Sequence, residues 1–211
     1  FTAGEERLLK ENQFSKPMLW SLWACKEAAF KAISAEFPGT PFRWKNFEIQ
    51  RDFKTIHFAS HEFSIRINQN EEYVHAAVCG KIECGRIVQN RFCTITSKIG
   101  RIDQIEEKFE KMNKPKIEIR KNEIFSEEFL SKNTVITLNE ILRSEIDESA
   151  AVRILGIEAI SEKYAIGLND IFVTGVSSGR SVPPFFYNSK GENISRASFS
   201  HHGNFVSVTI P

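Results

Sequence analysis

Trp20-Ser21-Leu22-Trp23-Ala24-Cys25-Lys26-Glu27-Ala28-Ala29-Phe30-Lys31 is the stretch on which the fold turns. It is rich in Ala and Leu and has no internal Gly or Pro, so it reads as helix. Pro17, after Ser15, marks its start, and Phe37-Pro38-Gly39 marks its end. At about 100° per residue, Met18, Leu19, Leu22, Trp23, Cys25, Ala29, Phe30 and Ile33 form one apolar arc, and Lys26 lies in its middle. A solvated Lys26 would need its stem to snorkel out. A buried one needs an anion, because an unpaired interior ammonium costs several kcal/mol or goes neutral. Glu27 and Lys31 sit four residues apart at the edge of the arc, flanked by Trp20 and Trp23. As an ordinary surface pair they would add a few tenths of a kcal/mol. Taken with Lys26, the Lys-Glu-x-x-x-Lys cluster suits an anionic ligand and its metal, with Glu27 as a hard oxygen ligand for Mg²⁺ and the lysines as phosphate contacts.

The 211 residues allow one large core or two of about 100 residues each. A net charge of +1 gives no overall field that would favour nucleic acid or an acidic membrane surface. Eighteen phenylalanines point to sheet and core rather than disorder. Cys25, Cys79, Cys84 and Cys93 lack the paired short spacings of a zinc site; they read as reduced core thiols of a cytoplasmic protein, with a disulfide formally open. No apolar run approaches the roughly 18 residues needed to span a bilayer, and neither a signal peptide nor a membrane partner is expected.

Working outward, residues 1–12 carry Thr2 as an N-cap with Glu5 as its capping-box partner, and a short helix is expected there. After the main helix, 41–49 is expected to be extended, followed by alternating strands at 54–59, 62–68 and 72–79. A first pseudo-repeat thus spans 1–80. Residues 81–137 read as a strand plus an insert or linker, with a charged helix at 103–112 and no assignment for 114–132. A second pseudo-repeat is expected over 138–211: a long helix at 145–165, a strand at 169–173, a rigid turn Gly179-Arg180-Ser181-Val182-Pro183-Pro184, and a hairpin over 197–210 through a Gly-Asn turn. Lys26-Glu27-Ala28 with Ala32-Ile33 is echoed by Ile157-Glu158-Ala159 with Ala165-Ile166, shifted by two residues. Only the first helix keeps the cationic cluster, and only the second half ends in Ser198-Phe199-Ser200-His201.

These residues resemble the 4′-phosphopantetheinyl transferase superfamily. Its helix signature Trp-x-x-Lys-Glu-(Ala/Ser)-x-x-Lys is met by Trp23, Lys26, Glu27, Ala28 and Lys31. Its upstream Phe-(Ser/Thr)-x-x-Glu is met by Phe1, Thr2 and Glu5, and its Ser-His pair at a strand end by Ser200 and His201. The Gly-(Lys/Arg)-x-Pro turn is met by Gly179, Arg180 and Pro183 with one inserted residue. In surfactin-type members the Ser-His half comes first; here the order of the halves is reversed, as in a circular permutation or a duplicated single-domain type. The resemblance covers 1–80 and 145–211. The family's Gly-x-Asp motif, whose Asp binds metal, would stand just before Phe1, so the chain is expected to be truncated there, the alternative being a lost metal ligand.

The resemblance implies an α+β, pseudo-twofold fold of two subdomains, each a long helix packed on a small antiparallel sheet, acting as a monomer (a pseudodimer). It implies transfer of the phosphopantetheine arm of coenzyme A to a serine of an acyl or peptidyl carrier protein, with Mg²⁺ as cofactor. Glu27 would hold Mg²⁺ and help take the serine proton. Lys31 would neutralise the pyrophosphate, while Lys26 would contact a phosphate or orient Glu27. His201 would hydrogen-bond a phosphate of coenzyme A, Ser200 would shape the turn, and Arg180 would face the adenine or 3′-phosphate end. Arg153 is a further cation that could reach a phosphate from the second helix. Read without the family, His201 is a solvated turn residue, His75 a satisfied strand residue and Ser60-His61 a surface strand. Two other readings stay open: a non-catalytic relative that binds coenzyme A or carrier protein, and an α+β binding module in which the Lys-Glu helix is structural.

Overall fold

In the computed structural model, all residues are described except 38, 60, 84–85, 89–95, 111–120, 144–145, 176–183, 203 and 211. The chain divides into two units, Phe1–Ile95 and Thr96–Pro211. The expected linker 81–137 is therefore shared between them, its first part in unit 1 and its second in unit 2. The class is mixed α+β, and every described strand pairing is antiparallel.

In unit 1, Thr2 caps helix α1 (Ala3–Glu11) through the full capping box: its hydroxyl accepts from the Glu5 N–H, and the Glu5 carboxylate accepts from the Thr2 N–H at 2.8 Å. Helix α2 (Lys16–Glu36) follows, with Pro17 in its first turn, where a missing N–H costs nothing. A 3₁₀ turn (Trp44–Asn46) then leads into strands β1 (Phe47–Ile49), β2 (Thr55–Phe58), β3 (His61–Gln69) and β4 (Val74–Cys79), a meander in the order β1-β2-β3-β4. The segment 41–49 is thus part 3₁₀ turn and only at its end a strand. Strands β5 (Lys81–Glu83) and β6 (Arg86–Val88) form a separate two-stranded ladder. The core between α2 and the meander holds Leu22, Cys25, Ala29 and Ile33 of the helix against Phe47, Ile56, Phe63 and Ala76 of the strands. Each of the large ones, fully buried, contributes about 1.5–3 kcal/mol.

In unit 2, β7 (Thr96–Arg101) runs directly into α3 (Ile102–Glu110). Short helices α4 (Lys121–Ile124) and α5 (Glu127–Lys132) precede β8 (Thr134–Thr137) and α6 (Leu138–Ile141). Helix α7 (Glu148–Tyr164) starts at Asp147, whose carboxylate caps the Ala150 N–H at 2.7 Å, and ends at Ala165 in the left-handed region (φ 54°). A 3₁₀ turn (Leu168–Asp170) leads to β9 (Ile171–Gly175), β10 (Phe185–Asn188), β11 (Asn193–Arg196), β12 (Ser198–His202) and β13 (Phe205–Ile210). One sheet has the order β11-β10-β9-β8 and the other β12-β13-β7. Helix α7 packs on β13, β7 and β9, which is why its residues from Ala150 to Ile160 are apolar nearly all round. The echo between the two halves survives as an element order: a long helix, a 3₁₀ turn, then antiparallel strands. Among the described residues no helix is long and apolar enough to cross a membrane.

Candidate functional site

Consecutive helical residues point about 100° apart, so the motif on α2 divides between two faces. Lys26 points inward and is completely buried. Its ammonium meets Glu5 Oε1 at 2.8 Å and donates to the carbonyls of Trp44, at 2.7 Å, and Phe47. That is one acceptor for each of its three N–H bonds. Glu5 is equally buried and also accepts from the Ile49 N–H at 3.0 Å. The Phe1 ring lies 5.9 Å from the ammonium. Burial pulls the Lys26 ammonium below its ordinary value, opposed by the hydrogen bond and charge of Glu5. Burial also pushes the neighbouring Cys25 thiol up to about 12, with Lys26 acting against it. The expected phosphate contact at Lys26 is therefore corrected: an enclosed ammonium with three protein acceptors has no donor left for a ligand. Lys26 joins α1, the 3₁₀ turn and β1 to α2, and holds the helix in one rotational setting.

Glu27 and Lys31 lie on the other face, 2.9 Å apart, with side chains 39% and 33% exposed. In water-facing surroundings such a pair adds well under about 1 kcal/mol, so its stability role is minor and it is open to exchange partners. Trp23 and Trp20, one and two turns before Glu27, are also exposed. With Phe1, Leu19 and Trp44 they line a groove of about 440 Å³. Trp44 meets Trp23 with ring centres 3.8 Å apart and planes tilted by 40°, and Phe42 packs on Trp44 at 4.8 Å. The positive charge of Lys31 reaches His75 on β4; burial first, then Lys31, holds that imidazole below its usual range.

Among the described residues, no group of three or more His, Cys, Asp or Glu side chains is arranged to hold a metal ion. Glu27 offers one partly hydrated carboxylate. Mg²⁺ keeps most of its waters and binds through one or two carboxylates plus substrate phosphates, so this donor fits an ion that arrives with a diphosphate.

In unit 2, Ser200 and His201 are neighbours on β12, in register with Ser207 and Val206 of β13. His201 is an exposed side chain, its Nδ1 3.5 Å from Oε2 of Glu148 in the first turn of α7. Arg180 and the Gly203 of the Gly-Asn turn lie outside the described residues, as do Ser60, Cys84 and Cys93. Glu158, the echo of Glu27, is only 10% exposed at its side chain; it pairs with Lys108 of α3 and, at 3.4 Å, with Lys98 of β7. Lys98 also meets Glu162 at 2.5 Å. The second helix thus holds its carboxylate in a structural cross-tie, while the first leaves Glu27 accessible.

The structure brings Glu27 together with Lys31 and Ser200 together with His201. It withdraws Lys26, and it adds Trp44 and Phe1, which sequence reasoning read only as core aromatics and motif. Comparison of the chain with protein-family profiles and with characterised proteins, and of its fold with solved structures, found no match.

Proposed function

We propose that the chain transfers the 4′-phosphopantetheine arm of coenzyme A to a serine hydroxyl of an acyl or peptidyl carrier protein, on a pseudo-twofold transferase fold. The observation that carries this reading is the face of α2: an accessible carboxylate-lysine pair, Glu27 and Lys31, beside an apolar aromatic groove, held in place by the buried lysine of the same motif. The serine oxygen forms a bond to the phosphorus bearing the pantetheine arm, the bridging P–O bond breaks, and adenosine 3′,5′-bisphosphate leaves with the electron pair. Glu27 accepts the serine proton, and Lys31 balances the charge on the diphosphate. Mg²⁺, when bound at Glu27, supplies charge neutralisation to the diphosphate. Within unit 2, the exposed His201 is the imidazole available to a phosphate, and Ser200 shapes its strand end. Positioning and charge do most of the work in phosphoryl transfer, which suits a site with no covalent nucleophile of its own.

The test is incubation of the full chain with coenzyme A, Mg²⁺ and an apo carrier protein. The carrier gains the mass of one phosphopantetheine group, and Glu27→Gln abolishes the gain while the melting temperature holds. Absence of a gain with acyl and peptidyl carriers alike overturns the transfer reading; coenzyme A binding in that case leaves the non-catalytic relative.

A further inference from the structure

The groove of unit 1 is built from Phe1, Leu19, Trp20, Trp23 and Trp44. Of the six large hydrophobic side chains that stand exposed among the described residues, three, Leu19, Trp20 and Trp23, meet there. An apolar cluster left open to water in this way marks a contact site. Its walls are set before anything binds. The Trp44 ring is braced by Phe1 at 6.1 Å and Phe42 at 4.8 Å, and its carbonyl is held by the buried Lys26 ammonium at 2.7 Å.

Size and lining decide what the groove can hold. Its volume of about 440 Å³ lies in the range of small-ligand sites, roughly 300–1,000 Å³. A stable protein interface engages about 20–30 residues on each side, far more than line this groove. Indole N–H groups are the only polar side-chain atoms in the lining. Amides or hydroxyls placed there would lose water without gaining partners, so the occupant is hydrocarbon along this length. Charge sets its direction. Lys16 lies three and four residues before Leu19 and Trp20, on the same helix face. It is exposed and takes part in no ion pair among the described residues. One turn beyond Trp23, at the opposite end, Glu27 is already paired with Lys31. From Lys16 to Trp23 the helix rises about 10 Å, the span of a medium-length alkyl chain.

We propose that the groove binds a single hydrocarbon chain with an anionic head, the class of medium-chain fatty acids. The carboxylate lies beside Lys16, and the chain crosses Leu19, Trp20 and Trp23 toward Trp44. The assignment rests on the groove and on Lys16, and not on the transfer reading.

All three tryptophans of the chain line the groove, so intrinsic fluorescence reads its occupancy directly. The test is titration of the full chain with ω-bromododecanoate below its micelle concentration, since bromine quenches an indole that it touches. Quenching saturates, and unbrominated dodecanoate reverses it. Quenching that never saturates, or that dodecanoate does not reverse, overturns the site. A trimethylammonium head on the same brominated chain binds about fivefold more weakly; equal binding overturns the anionic head. Lys16→Glu weakens bromododecanoate binding by about fivefold and Leu19→Asp by about tenfold or more. Both variants keep the wild-type melting temperature, because both side chains are exposed. Unchanged affinity in Leu19→Asp overturns the groove, and unchanged affinity in Lys16→Glu overturns the placement of the head. Quenching by vesicles of brominated phosphatidylglycerol, without quenching by the free chain, overturns the proposal in favour of a bilayer surface. Neither coenzyme A nor a carrier protein enters these titrations, so their failure leaves the transfer reading as it stands.

Discussion

Replacing Lys26 by Met keeps the length and apolar stem of the side chain but removes the ammonium, so the cost is electrostatic rather than a cavity. The Glu5 carboxylate, fully buried, is left without its cation; breaking a buried pair in this way costs about 3–5 kcal/mol. The Trp44 and Phe47 carbonyls each lose a donor, adding on the order of 1 kcal/mol apiece. The expected loss of about 5–7 kcal/mol is comparable to the whole stability of many domains. Glu5→Gln in the Lys26→Met background removes the stranded charge and recovers part of the loss: its single amide oxygen still accepts from either the Thr2 or the Ile49 N–H, which in the wild type use the two different carboxylate oxygens. The assay is urea unfolding followed by tryptophan fluorescence. All three tryptophans, Trp20, Trp23 and Trp44, lie in unit 1, so the signal reports that unit alone. A Lys26→Met protein within about 1 kcal/mol of wild type, or a double variant less stable than the single, refutes the clamp.

Further outcomes can be checked separately. His201→Ala weakens coenzyme A binding by about 1–3 kcal/mol without changing stability, since the ring is exposed and, among the described residues, meets Glu148 alone; equal affinity by titration contradicts the contact. Gly156→Ala gains about 1 kcal/mol of helix propensity, but its methyl would sit 2.7 Å from Cζ of the fully buried Phe186 and 3.2 Å from Phe199. Overpacking of that kind costs about 1–3 kcal/mol, so calorimetry shows a net loss, and a stabilised variant refutes the packing argument. The His75 imidazole, held below its usual 6.5 by burial and then Lys31, binds its proton less readily in the folded than in the unfolded chain. Stability therefore rises with pH from the folded value up to 6.5 and is lost as pH falls through that window. His75→Gln flattens that part of the urea-midpoint profile; an unchanged slope excludes His75 as its source.

Helix α2 was legible because its apolar arc, Pro17 and the Phe37-Pro38-Gly39 stop agree with one another, and the meander because its strands alternate. The capping box of Thr2 and Glu5 was legible too, yet it hid the larger role of Glu5: the arc shows that Lys26 needs an anion, but nothing local shows that the anion is a helix cap at the start of the chain. In 114–132 the charges alternate without a period, and α4 and α5 bury none of their own residues, so no face marked them; Phe125 between them is what packs, against Phe172. Strand β7 was hidden for a different reason. It pairs with β13, more than a hundred residues later, and the register from Arg101↔Phe205 to Thr96↔Ile210 belongs to neither segment alone. For the site, Glu27 and Lys31 follow from spacing, whereas the enclosure of Lys26 by the Trp44 and Phe47 carbonyls depends on a turn that lies far along the chain and leaves no trace in the sequence.

The adjacency of Lys26 and Glu27 has a consequence for molecular recognition. Three tethers on three separate segments fix the azimuth of residue 26, and a rigid helix transmits that azimuth to residue 27. The direction in which the Glu27 side chain leaves the helix is thus preset before any partner arrives, so a group that approaches this face meets a carboxylate whose root is already ordered.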